Sequence, residues 1–224
     1  MAVITMPFVV RGLGTERFGV LALAWVVLGY LNSVFDLGFS RAVTKLVAEA
    51  GGRGDEARIS ALITTATISQ AILGVLVGAA LAALAPVLVH RVLSVPGTLL
   101  GEAEVAFFLL AVSVPLVMVS TCLCGCLEAV QRFDLAAVGR APFSALMYLL
   151  PAVAVLVGWT LPGTLLLIVI SRVLALVVHV GLCAHVFPSL RGFPRFSKAR
   201  FRALLAFGGW VTASNVTISG LVYL

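Results

Sequence analysis

Charge is scarce in this sequence. Lys, Arg, Asp and Glu make up 11% of its 224 residues and 62% are hydrophobic, whereas a soluble domain carries about 25% charged and 45–50% apolar residues. Such a chain cannot cover itself with polar side chains, which excludes a soluble globular protein. Carboxylates are scarcer still. The nine Asp and Glu all lie in the polar stretches between apolar runs or at the ends of those runs, leaving none inside a run for acid–base catalysis or proton relay. Gly-x-x-x-x-Gly-Lys-Ser/Thr, Gly-x-Ser-x-Gly and His-Glu-x-x-His are all missing, so the residues indicate no enzyme and no ATP hydrolysis.

Cysteine is also sparse. Cys122, Cys124, Cys126 and Cys183 all fall inside apolar runs, which argues against a disulfide framework. The Cys-x-Cys-x-Cys spacing puts Cys122 and Cys126 on one helix face with Cys124 pointing away. With no His or carboxylate at matching spacing, the four read as small buried apolar residues, and no metal or other cofactor is expected.

What is abundant is long uncharged sequence. A bilayer crossing needs about 20 apolar residues, because about 30 Å of hydrocarbon is crossed at 1.5 Å per residue. By that ruler Phe18 to Phe35 is a span. Ile59 to Val89 is an overlong or tilted one, with Gly74, Gly78 and Ala82 four apart as a small-residue stripe for close helix approach. Val105 to Leu127 is a third, with Pro115 as a mid-span kink. Between Arg140 and Arg191 the turn Trp159-Thr160-Leu161-Pro162-Gly163 divides two more, the first carrying Pro151. Residues 1–10 are too few to cross and are expected to be the tail of a helix that starts upstream. Ala203 to Leu224 begins a further span, so the chain is expected to be part of a larger protein. The fold class is therefore an all-α, polytopic transmembrane helix bundle.

Fifteen Lys and Arg against nine acids give a net charge of +6. A nucleic-acid surface is not implied, because the cations lie in connectors. Eleven of them fall in the alternate connectors 36–58, 128–140 and 188–202, and three, Arg11, Arg17 and Arg91, in the other set. The positive-inside rule places the first set in the cytoplasm. There Lys45 and Glu49 stand four apart on a short polar helix, followed by a flexible Gly51-Gly52-Arg53-Gly54 turn. Asp36 and Glu128 read as helix-end residues and Trp159 as an interfacial anchor.

One cation escapes the connectors. Arg172 lies about ten residues into its span, near the midplane, where an Arg costs about 2.5–3.5 kcal/mol and is tolerated only facing a protein-lined or watery interior. His179 follows two helical turns later on the same face. Two readings are open: a cationic stripe lining a cavity for an anionic group such as phosphate, or an Arg satisfied between helices beside a structural His.

Several stretches resemble a known family. Pro7-Phe8-Val9-Val10-Arg11-Gly12-Leu13-Gly14 with Thr15-Glu16-Arg17-Phe18-Gly19-Val20 resembles the end of the first helix, the outer loop and the second-helix start of polysaccharide flippases. These form the oligosaccharide flippase branch of the superfamily that also holds multidrug and toxin extruders. The run DLGFSRAVTKLVAE (Asp36 to Glu49), Val95-Pro96-Gly97 with Glu102-Ala103, Gln131-Arg132-Phe133, and FRALLAFGGWVTASNVTIS from Phe201 are similar in the same order. The resemblance implies a six-helix first lobe over residues 1–200 and the start of a second lobe at 201–224, within a two-lobe transporter of the bacterial cytoplasmic membrane. Its implied substrate is an undecaprenyl-diphosphate-linked oligosaccharide, moved by alternating access without ATP hydrolysis. Its implied partners are membrane lipids and polysaccharide assembly proteins. Arg172 would be one of the basic residues meeting the diphosphate. The alternatives are a cation-coupled small-molecule exporter, for which buried carboxylates would be expected, a lipid II exporter, and a membrane-embedded glycan polymerase, for which a large outer loop would be expected.

Overall fold

The computed structural model describes residues 2–35, 39–92 and 97–191, together with positions 201, 202, 204 and 206. The expected span from Ala203 and the expected capping role of Asp36 thus lie mostly or wholly outside the described residues. Seven α-helices are described: α1 (Ala2–Leu13), α2 (Thr15–Phe35), α3 (Phe39–Gly51), α4 (Glu56–Val87), α5 (Leu100–Ala129), α6 (Phe133–Leu156) and α7 (Leu161–Val186). α2 has 21 residues, and α4 to α7 are each long and apolar enough to cross a bilayer. The chain is an all-helical, multi-pass membrane protein.

Helix ends follow local chemistry. Asp55 caps α4 by accepting a hydrogen bond from the Arg58 N–H at 2.9 Å. α6 ends in a Schellman arrangement: Trp159 N–H bonds to Ala154 O and Gly158 N–H to Val155 O, with Gly158 in the left-handed region at φ +77°. Thr160 is extended, and Pro162 stands in the first turn of α7, so the expected outer turn is present; Trp159 lies in it with 43% of its surface exposed. The turn after α5 has the same two bonds, Arg132 N–H to Leu127 O and Gln131 N–H to Glu128 O, but places Gln131 at φ +59° where glycine is usual. α6 then begins at Phe133, with Asp134 in its first turn. Arg140, read from sequence as a connector cation, is therefore two turns inside a helix. The uncharged-run ruler starts a helix only after its last charge, whereas the backbone starts it at the turn.

α5 is the centre of the bundle, packing most extensively on α4 and next on α7. Lipid tails are as apolar as Leu, so helices here are held by close packing rather than by escape from water. The α4 stripe does this. A Cβ on Gly74 would stand 2.6 Å from the Cα of Pro115, and one on Gly78 would stand 2.6 Å from the carbonyl oxygen of Ala111. Pro115 thus fits a groove cut by glycine in a helix that continues unbroken from Leu100 to Ala129. Two core clusters stack along the bundle. The outer one centres on Phe107 and Leu110 with Leu21, Leu81 and Leu161; the inner one joins α3 (Val43, Val47) to Ile63, Cys126, Leu127 and Leu204. α3 buries Phe39, Ala42, Val43, Val47 and Ala50 and carries the expected Lys45–Glu49 pair at 3.8 Å on its exposed side. Val75, Leu76, Phe108, Val112, Leu156 and Val177 are at least half exposed, as suits lipid-facing positions. At the outer end Arg17 of α2 donates from Nε and Nη2 to Glu102 of α5 at 2.9 and 2.8 Å, a forked ion pair that ties the two helix starts together.

Candidate functional site

α5, α6 and α7 enclose a cavity of about 370 Å³. Its wall from α5 is Leu116, Val117, Ser120, Thr121 and Cys124; from α6, Gly139, Arg140, Phe143, Ser144 and Met147; from α7, Ile168, Ser171, Arg172, Ala175 and His179. Both residues singled out by sequence lie on this wall, on the same face of α7. No Asp or Glu is among the lining residues.

Arg172 is half-buried. Among the described residues its Nε is buried without a hydrogen-bond partner, and its Nη2 lies 4.0 Å from the Met147 sulfur, a weak acceptor. Ser120 Oγ, on the facing α5 wall, is likewise buried without a partner. These are unspent donors inside a membrane protein, where an unmet polar group is costly.

His179 is 4% exposed. Its Nδ1 stands 2.7 Å from the Ala175 carbonyl. A carbonyl can only accept, so Nδ1 carries a proton and donates, and Nε2 is the ring position left over. That Nε2 lies against α6 at Gly139, where a Cβ would come within 2.8 Å of it; only glycine leaves room for the ring.

Sequence reasoning left Arg140 and Glu128 out of the site. Arg140 Nη2 donates to Glu128 Oε1 at 2.9 Å and lies 3.2 Å from Cys124 Sγ. Cys124 thus faces the cavity, while Cys126 and Cys183 spend their thiols on the carbonyls of Cys122 and Leu123 at 3.3 and 3.5 Å. Asp134, six residues before Arg140, was the available signal, since an acid in a first turn marks a helix start. Ser120 carried none.

In sum, the cavity has a basic wall of two guanidiniums and an imidazole, hydroxyls from Ser120, Thr121, Ser144 and Ser171, and apolar flanks. It suits an anion with hydrogen-bonding oxygens. Its Arg140 end lies toward the connectors that the charge count assigns to the cytoplasm.

A protein of Shigella flexneri provisionally named an O-antigen transporter is 28% identical over 223 residues, 100% of this chain and 52% of its own length. The uncharacterized membrane protein EpsK of Bacillus subtilis is 28% identical over 139 residues, 62% of this chain and 24% of its own. Among solved structures, a MATE protein crystallised in complex with MaD3S superposes with a TM-score of 0.73 at 18% identity, over 99% of this chain and 51% of the MATE chain; this likeness concerns the fold. The chain spans about half the length of the first of these relatives and of the MATE protein. The polysaccharide biosynthesis protein family matches across residues 1–224, and the chain belongs to that family.

Proposed function

We propose that this chain is the first lobe, over residues 1–200, of a transporter that carries a lipid-linked oligosaccharide across the bacterial cytoplasmic membrane by alternating access. The segment 201–224 is the start of its second lobe. The substrate is a saccharide on a polyprenyl diphosphate such as undecaprenyl diphosphate. The diphosphate is held on the basic wall, by Arg172 at mid-span or by Arg140 beside His179, the saccharide by hydroxyls and water, and the polyprenyl tail stays in membrane lipid. The observation that carries the reading is the half-buried Arg172 at mid-span, its Nε buried and unpartnered among the described residues, in a cavity wall whose described lining holds no carboxylate. A permanent cation with no counterion among the described residues suits an anion that comes and goes. The names of the family and of the Shigella relative support the same substrate class. A cation-coupled exporter is disfavoured, since no carboxylate is among the described lining residues and Glu128 at the mouth is already paired with Arg140.

The test is surface glycan in cells that depend on this protein for export. Arg172→Ala should abolish display with the protein still inserted at its normal level. Arg172→Lys should retain part of it, keeping the charge and losing the fork. Losing a buried charged partner costs about 2–5 kcal/mol, a fall in affinity of at least tenfold. Undiminished display by Arg172→Ala removes this residue from the site.

A further inference from the structure

We infer that the cavity holds two separate phosphate stations about 10 Å apart along the membrane normal, a deep one at Arg172 and a mouth one at Arg140, the mouth station carrying its own competing carboxylate, Glu128. The inference deepens the proposed function and rests on its reading of the cavity as an anion site.

Two helices give the spacing independently. On α7, Arg172 and His179 are seven residues apart; on α6, Arg140 and Met147 are seven apart in the opposite chain direction. Seven residues are two turns, a rise of about 10 Å. The pairs match across the cavity: Arg172 meets Met147, and His179 meets Gly139 beside Arg140. α5 repeats the order, with Cys124 at the mouth level against Arg140 and Ser120 one turn deeper. Arg140 reaches toward the mouth, to Cys124 and Glu128, and away from Arg172. The phosphorus atoms of a diphosphate share one bridging oxygen, so one diphosphate cannot engage both levels.

The stations differ in how they are balanced. Arg140 is neutralised by Glu128 at 2.9 Å in a pair whose side chains are 59% and 31% exposed, a screened contact worth at most about 1 kcal/mol. An arriving phosphate can displace so weak a partner, and Glu128 takes Arg140 back when the phosphate moves on. Arg172 has no carboxylate within reach among the described residues, so the deeper station offers the less compensated charge. An anion is thereby drawn from the mouth inward.

A molecular ruler tests this. Alkanediol bisphosphates of increasing linker length, and inorganic pyrophosphate, are titrated calorimetrically into the purified chain in phosphatidylcholine nanodiscs. Affinity should peak, about a hundredfold above pyrophosphate, where the linker sets the phosphates about 10 Å apart, because the second contact becomes intramolecular. Arg172→Gln and Arg140→Gln should each return that compound to the pyrophosphate level. Arg172→Lys and Arg140→Lys, which keep the charge if the Gln variants fold poorly, should keep the optimum at lower affinity. Glu128→Gln should tighten pyrophosphate by about two- to fivefold, and only while Arg140 is present. If pyrophosphate binds better than every spanning compound, there is one station and the inference fails while the anion-site reading stands. If no phosphate compound binds, both fail.

Discussion

Gly78→Ala adds one methyl group where α4 presses on the backbone of α5. The new Cβ would stand 2.6 Å from the Ala111 carbonyl oxygen and 3.6 Å from Pro115 Cδ, whereas non-bonded contact needs about 3.5 Å. The obstacle at Ala111 is backbone, so no side chain can swing aside and α4 must back away from α5 by roughly 1 Å. Overpacking of this kind costs about 1–3 kcal/mol. The matched control is Gly181→Ala in α7, where a Cβ meets nothing within 4 Å. Both changes gain the same helix propensity, so their difference isolates the clash. For a chain of this size about 1 kcal/mol shifts the midpoint by about 2–4 °C, and Gly78→Ala should melt about 2–12 °C below Gly181→Ala in detergent. Gly74→Ala meets Pro115 on the same interface, and one displacement relieves both, so the double variant should lose less than the sum of the singles. Co-melting of Gly78→Ala with Gly181→Ala would refute glycine-dependent packing.

Two further outcomes follow from the turns and the outer ion pair. Gln131 is exposed and held at φ +59°, so Gln131→Gly should raise stability by about 0.5–1 kcal/mol, and Gln131→Val should lower it, both read from thermal midpoints. Arg17→Glu breaks the forked pair to Glu102; it should lower the midpoint by an amount that shrinks with added salt, and the swap with Glu102→Arg should recover much of it. No recovery in the swap would mean that Arg17 acts through its packed stem.

The helical crossings were legible because each is a run of uncharged residues of bilayer length, and that property survives into the fold for α4, α5 and α7. The stripe of Gly74 and Gly78 was legible too, since spacing by four defines a face; its partner, the backbone of Pro115, was not. Arg172 announced itself because a charge at mid-span is costly and so draws attention, even though sequence alone left both a cavity and a structural reading open. Arg140 did not. Placed beside polar sequence it counted as a connector, and only the Gln131 turn, which starts α6 at Phe133, carries it into the bundle wall. The fit of Gly139 against His179 and the place of Ser120 depend on the approach of three helices, which no single helix period encodes.

The most apolar stretch of α5 is 56% buried and that of α6 only 17%, and α5 touches α2, α3, α4, α6 and α7. α5 therefore acts as a keel: displacing it means repacking five neighbours at once. α6 is the least buried of the long helices, packed on α7, α1 and α5, and it bears Arg140 and Met147. Any widening of the space around Arg172 costs least as a swing of α6, so cross-links that pin α6 to α5 should stall the molecule where cross-links between α4 and α5 leave it working.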